Sequence, residues 1–349
     1  MYQIDKNLSN RINILKFISI VMVVWVHSYF MGSNNLDIGV NDSKWLSAIQ
    51  YIISQSVSRA AVPLFFLISG FLLYSKDFTW LNNFKKKSRT ILLPYLIWNT
   101  FWIIFYLIAQ SISYISPYFS NQEYYVQNFG VLKWIKAYTY FKDNSPFLYT
   151  LWFLRDLFIL NIIAVIIKKI VDKIPIIILI LLSIIWLSGI IIPYADSQSF
   201  VFFILGYYIV KYNLNIGIID KLNWYIITFT YALFIALDYL FSDSFITIHR
   251  VCVLIGILFF IKLTKVLLDL KSGNIFLRLS KYAFIIYVFH EMNLSIVRKV
   301  AFKVFPQTSI MQLVEYMLLP IIIITGCIIF GMLFKKFAPK IYSISTGSR

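Results

Sequence analysis

Ten stretches of apolar residues, separated by short polar or basic connections, constrain the fold of this 349-residue chain more than any other feature. They fall at about 12–31, 57–75, 90–111, 149–167, 175–193, 199–210, 222–241, 246–261, 282–297 and 312–334. An α-helix crosses the hydrocarbon core of a bilayer in roughly 17 to 25 apolar residues. Only helices and closed barrels pair every backbone polar group there. Most of the runs are long enough; the sixth is short and could extend in either direction. The pattern predicts an all-α, polytopic transmembrane helix bundle of about ten spans. Hydrophobic residues make up 60% of the chain and charged residues only 13%, a balance outside the range of a water-soluble domain.

The formal charge of +17 would suggest a nucleic-acid partner in a soluble protein. Here the basic residues gather in alternate connections: Lys76 with Lys85, Lys86, Lys87 and Arg89, then Lys168, Lys169 and Lys173, and later Lys335, Lys336, Lys340 and Arg349. Cytoplasmic loops carry that bias, so both termini are expected inside, and nucleic acid is not an expected partner. The first run keeps its length, holds Lys16 and His27, and lacks a small-x-small cleavage site, so it reads as a retained helix rather than a signal peptide. Cys252 and Cys327 lie within apolar runs without C-x-x-C spacing, which argues against a disulfide framework or a thiolate metal site; no metal is expected. Without repeats, low-complexity tracts or a soluble stretch, residues 1–349 read as a single integral-membrane domain.

Ionisable residues inside membrane spans are expensive and are candidates for function. In LKFISIVMVVWVH, Lys16 and His27 are eleven positions apart. At ~100° and ~1.5 Å per residue they share one helix face, ~16 Å apart along the axis. That aligns a base deep in the span with a cation at its inner edge. Imidazole is suited to general-base chemistry near neutral pH, which makes His27 the leading catalytic candidate. His290, in KYAFIIYVFHEMN, lies about eight residues into the ninth run, at a depth similar to His27, so the two can share a cavity. His249 stands at the outer edge of the eighth run and reads as interfacial.

Arg155 and Asp156 in LWFLRDLFILN are adjacent. Neighbouring helix positions do not face each other, so each is expected to find a partner elsewhere. The run Lys85–Lys86–Lys87 with Arg89 suits the phosphates of a nucleotide-like donor, and equally the positive-inside bias alone. Ser47, Gln50, Ser54 and Ser58 form a polar stripe before Arg59, expected to line a wet cavity. The tyrosines and Trp134 of the 112–148 connection fit an interfacial belt or a sugar-stacking surface. No P-loop, H-E-x-x-H or G-x-S-x-G pattern occurs, and Ser69–Gly70 reads as a close helix contact rather than a nucleophile.

Six segments in order resemble the membrane-bound acyltransferase family 3, the O-acyltransferases of bacterial surface polysaccharides, nodulation factors and related glycans. They are LKFISIVMVVWVHS, SRAAVPLFFLISGFLLY, FKKKSRTILLPYLIWN, LWFLRDL, FFILGYYI and SKYAFIIYVFH. The family pattern, R-x10-H, places an arginine before the first-span histidine with ten residues between them, a position that Lys16 occupies here. Lysine keeps the charge and loses the planar fork. The resemblance implies that His27 is the essential histidine, with Arg59 and the Trp152–Phe153 motif near the site. No appended esterase-like domain, found in some larger members, is expected.

The resulting expectation is a multi-pass acyltransferase of the bacterial cytoplasmic membrane. It would carry acetyl from cytoplasmic acetyl-CoA, a co-substrate rather than a bound cofactor, to a hydroxyl of a cell-surface or lipid-linked glycan. His27 and His290 are the catalytic candidates, with His27 acting as base or acyl carrier. Lys16 and Arg89 are the donor-binding candidates; Arg59, Trp152 and Arg155 line the acceptor side. Expected partners are the lipid bilayer, the acyl-CoA, the glycan and glycan-assembly proteins. The alternative is a transporter or flippase of a glycan or small anion, with the same His and Arg residues lining the path.

Overall fold

A computed structural model describes residues 2–29, 43–141, 145–190, 196–241, 244–270 and 272–348. Lys271, Arg349 and the outer ends of the first and fifth predicted runs lie outside these residues. The ten apolar runs correspond to ten helices: α1 (Lys6–Ser28), α2 (Lys44–Tyr74), α3 (Trp80–Ser111), α4 (Tyr149–Lys173) and α5 (Pro175–Ser188), then α6 (Ser197–Lys211), α7 (Trp224–Leu240), α8 (Ile246–Asp269), α9 (Ala283–Val304) and α10 (Ser309–Phe337). Among the described residues there is no β-strand. Six helices, α1–α4, α8 and α10, are long and apolar enough to cross a bilayer, and α5 and α7 are shorter apolar helices. The protein is thus an all-α polytopic membrane protein.

Local chemistry sets the helix ends. The Asp5 carboxylate accepts from the Leu8 N–H at 2.7 Å, capping α1 six residues before the apolar run begins. Asn223 caps α7 through Tyr225 and Ile226 N–H. Pro175 opens α5, where its missing N–H costs nothing, and Gly189 closes it at φ +71. Helix α2 begins well before the predicted run at 57. Its first half winds through a π-helical stretch, Tyr51–Val57, and one 3-10 turn, Ser58–Ala60, before becoming regular.

The chain forms two compact units. The larger comprises Met1–Asp77, Ile167–Ile191 and Ser197–Leu333, and the smaller Phe78–Ile166, Ile192–Asp196 and Phe334–Arg349. In the larger unit, the second half of α2 packs along α6 at a seam of glycines. A side chain on Gly70 would run into the backbone of Phe203, and one on Gly206 into the backbone of Leu67 and Phe71. This is the close contact that Ser69–Gly70 suggested.

At one end of the larger unit, Arg11 forks onto both Asp220 oxygens at 2.8 and 2.9 Å. It also reaches Thr264 Oγ1 at 3.1 Å and the Ile261 carbonyl at 3.0 Å. The start of α1, the approach to α7 and the latter part of α8 therefore meet, as an alternating path requires. In the smaller unit, an aromatic core of Phe129, Phe147, Tyr106, Tyr124 and Phe141 organises the long connection between α3 and α4. The terminal helix Pro339–Ser345 docks there through Trp98 Nε1, which donates to the Ser345 carbonyl at 2.8 Å.

Candidate active site

The opposite end of the larger unit gathers the ionisable residues of α1, α2, α9 and α10. His27 is the penultimate residue of α1, because Tyr29 leaves the helix with φ −60 and ψ 147. The histidine therefore stands at the helix end rather than towards the middle of a longer span. The last carbonyls of a helix lack internal partners, and the His27 carbonyl is met by Arg298 Nη2 of α9 at 3.1 Å. The π stretch of α2 docks beside it. Ser54 Oγ donates to the Trp25 carbonyl at 2.5 Å and lies 2.7 Å from the Tyr316 hydroxyl of α10.

His290 comes to the same place from α9. Its ring centroid is 5.1 Å from that of His27, with the planes inclined by 46°. His290 Nδ1 sits 2.8 Å from the Tyr287 carbonyl and 3.0 Å from that of Ile286. Carbonyl oxygens only accept, so Nδ1 carries the proton and Nε2 presents its lone pair. His290 is completely buried, and Nε2 has no hydrogen-bond partner among the described residues. His27 is half-buried. Arg59 and Arg298 both lie within electrostatic reach of His27. Arg59 is exposed and donates through Nε and Nη2 to Gln55 Oε1. Arg298 in turn faces the buried Glu315 of α10.

Of the residues expected from sequence, the structure brings together His27, His290 and Arg59. Lys16 is half-buried on the same continuous helix as His27, at the ~16 Å that eleven helical residues span. Arg89, Trp152 and Arg155 belong to the smaller unit. Arg89 is exposed on a π-helical turn, Ser88–Leu92, and Trp152 is half-buried beside Phe153 at the start of a regular helix.

Two expectations need correction. Arg155 does pair with its neighbour: Nε and Nη2 lie 3.0 and 2.8 Å from Asp156 Oδ1. The two Cβ directions diverge, but the long arginine stem curls back over the short aspartate. Its fork is then held by the Thr139 carbonyl at 3.0 Å and the Tyr140 ring at 4.4 Å. The polar stripe on α2 is not open along its length either: Ser47 is exposed, but Gln50, Ser54 and Ser58 are buried, and Ser56 of the π stretch is buried as well.

Sequence reasoning missed Arg298 and Glu315. Glu315 lies within the tenth run, where an ionisable residue was itself the signal. Arg298 falls one position past the predicted end of the ninth.

The sequence profile of the acyltransferase domain matches residues 9–332. The chain belongs to this acyltransferase family. It is also similar to the succinoglycan biosynthesis protein ExoH of Rhizobium meliloti (strain 1021), with 27% identity over 234 residues. That match covers 62% of this chain and 58% of the relative, so it spans less than two thirds of that protein. No solved structure matches the chain. Both histidines, Arg59, Arg298 and Glu315 fall within the family region.

Proposed function

We propose that this protein is an O-acyltransferase of a bacterial cytoplasmic membrane, passing acetyl from cytoplasmic acetyl-CoA to a hydroxyl of a lipid-linked or cell-surface glycan. Membership of the acyltransferase family supports the reaction class, and the relative named for succinoglycan biosynthesis supports a polysaccharide acceptor. The observation that carries the reading is the imidazole pair, a half-buried His27 whose ring centroid lies 5.1 Å from that of a buried His290 whose Nε2 offers a lone pair.

In the proposed step, His27 takes the proton of the acceptor hydroxyl as its oxygen attacks the thioester carbonyl. The C–O bond forms, the C–S bond breaks, and the departing CoA thiolate receives the proton. His290 Nε2 is a second proton acceptor beside His27. Arg59 and Arg298 offset the negative charge that develops on the carbonyl oxygen. Lys16, ~16 Å back along α1, is proposed to hold the donor's phosphates and orient its thioester towards His27. Glycan-assembly proteins are the natural suppliers of the acceptor.

The test uses purified protein in liposomes with radiolabelled acetyl-CoA and a glycan fraction from the host. Label should reach glycan with wild type and not with His27→Ala. Equal transfer by the two removes His27 from the mechanism. No transfer by wild type, accompanied by movement of glycan across the bilayer, replaces acyl transfer with transport.

A further inference from the structure

At the histidine end of the larger unit, one buried acid takes no part in the chemistry proposed above. Asp238, 1% exposed near the end of α7, accepts from Ser56 Oγ at 2.6 Å, and its other oxygen lies 3.1 Å from His249 Nδ1. His249 stands in the first turn of α8, with its side chain 23% exposed. A carboxylate in a helix bundle is costly unless its partners are fixed, and such groups are best retained where they specify a geometry.

What this one grips is irregular. Ser56 lies in the π-helical stretch Tyr51–Val57, whose i→i+5 bonding widens the turn and needs outside support. On one side, Ser54 ties the stretch to the Trp25 carbonyl, two residues before His27. On the other, Ser56 ties it to Asp238. Between these two anchors lies Gln55, the side chain that accepts from Arg59.

We propose that Asp238 and His249 are positioning residues, holding Ser56 so that the π turn directs Gln55 and Arg59 towards His27. His249 fixes the carboxylate, the carboxylate fixes the Ser56 hydroxyl, and the hydroxyl fixes the turn. The inference rests on the acyl-transfer reading for its functional consequence, though not for its geometry.

The test measures kcat and KM for acetyl-CoA in proteoliposomes. Ser56→Ala and His249→Phe should each lower kcat about tenfold, the effect of losing one charge-assisted hydrogen bond, with KM within about twofold. His249→Asn, whose amide N–H can stand in for Nδ1–H, should recover kcat to within about threefold of wild type. Because Ser56 acts through Arg59, Ser56→Ala should add nothing on an Arg59→Ala background. Multiplicative losses in that double variant, wild-type kcat in Ser56→Ala, or equal damage from His249→Asn and His249→Phe would each overturn the proposal.

Hydrogen exchange over residues 51–59 provides a readout that needs no substrate. Ser56→Ala should speed exchange there by roughly tenfold, the loosening expected when an anchoring hydrogen bond is lost, and unchanged exchange overturns the proposal. Faster exchange combined with no label transfer by wild type leaves the positioning geometry standing and rejects the acyl-transfer reading.

Discussion

The two ends of the larger unit use buried charge in opposite ways. At one end, Arg11 is met by both Asp220 oxygens, Thr264 and the Ile261 carbonyl, while Lys262 Nζ reaches the Asp220 carbonyl at 2.8 Å. At the other, His290 Nε2 and Glu315 Oε1 are buried without a hydrogen-bond partner among the described residues. A buried polar group costs free energy unless it is paired, so the first arrangement reads as a lock. The second retains capacity that the fold itself does not use. Departures from full pairing are where function is expected to reside.

The largest effects should separate those two ends. His27→Ala should lower acyl transfer by about 10²- to 10⁴-fold, the usual value of a positioned general base, and move the unfolding midpoint in detergent little. Asp220→Ala should do the reverse. It strands the Arg11 guanidinium in the interior, a change worth about 3–5 kcal/mol of stability, while molecules that remain folded keep their kcat. Were Asp220→Ala to cut kcat as deeply as His27→Ala with no change in unfolding, the distinction between lock and site would collapse.

Much of the fold was legible because a bilayer leaves a chain few options. Ten apolar runs became ten helices, and the alternation of basic connections agrees with Arg11, Asp220 and Lys262 meeting at one end. That His27 and His290 could meet was legible from helical rise together with the shared direction of their spans; their approach required the fold. The π stretch of α2 was not, since a wider turn has no compositional mark and shifts every following side chain. That shift is why Ser56 faces Asp238 unannounced. Arg155 and Asp156 escaped for another reason: helix-face geometry describes Cβ directions, and a long flexible side chain is not bound by them. Glu315 was visible as an acid in an apolar run; its opposition to Arg298 required the fold.

A middle-sized effect sharpens the contrast by testing packing without charge. Gly206 has backbone atoms of Leu67 and Phe71 where a Cβ would stand, whereas Gly326 of α10 has nothing within 4 Å. Gly206→Ala should therefore cost about 1–3 kcal/mol, because backbone cannot move aside cheaply. Gly326→Ala should stabilise by up to about 1 kcal/mol through helix propensity. Thermal unfolding of the two variants in the same detergent gives the comparison. Equal shifts would mean that the α2–α6 seam is looser than its glycines imply.

The smallest effect lies where charge is paired but exposed. Asp172 is held by Lys168 at 2.7 Å, by Lys211 at 2.8 Å and by the Tyr207 hydroxyl at 2.5 Å. The Lys168 side chain is 52% exposed, against 17% for Lys211, so water competes for the first contact more than for the second. An exposed i,i+4 pair contributes about 0.3–0.5 kcal/mol. Lys168→Met should thus lower the unfolding midpoint by only a degree or two, and less in high salt, because two donors still satisfy the carboxylate. Lys211→Met should cost more at every salt concentration. The reverse order would show that exposure does not govern the strength of these pairs, and would weaken the large stability effect assigned to the buried Arg11–Asp220 lock.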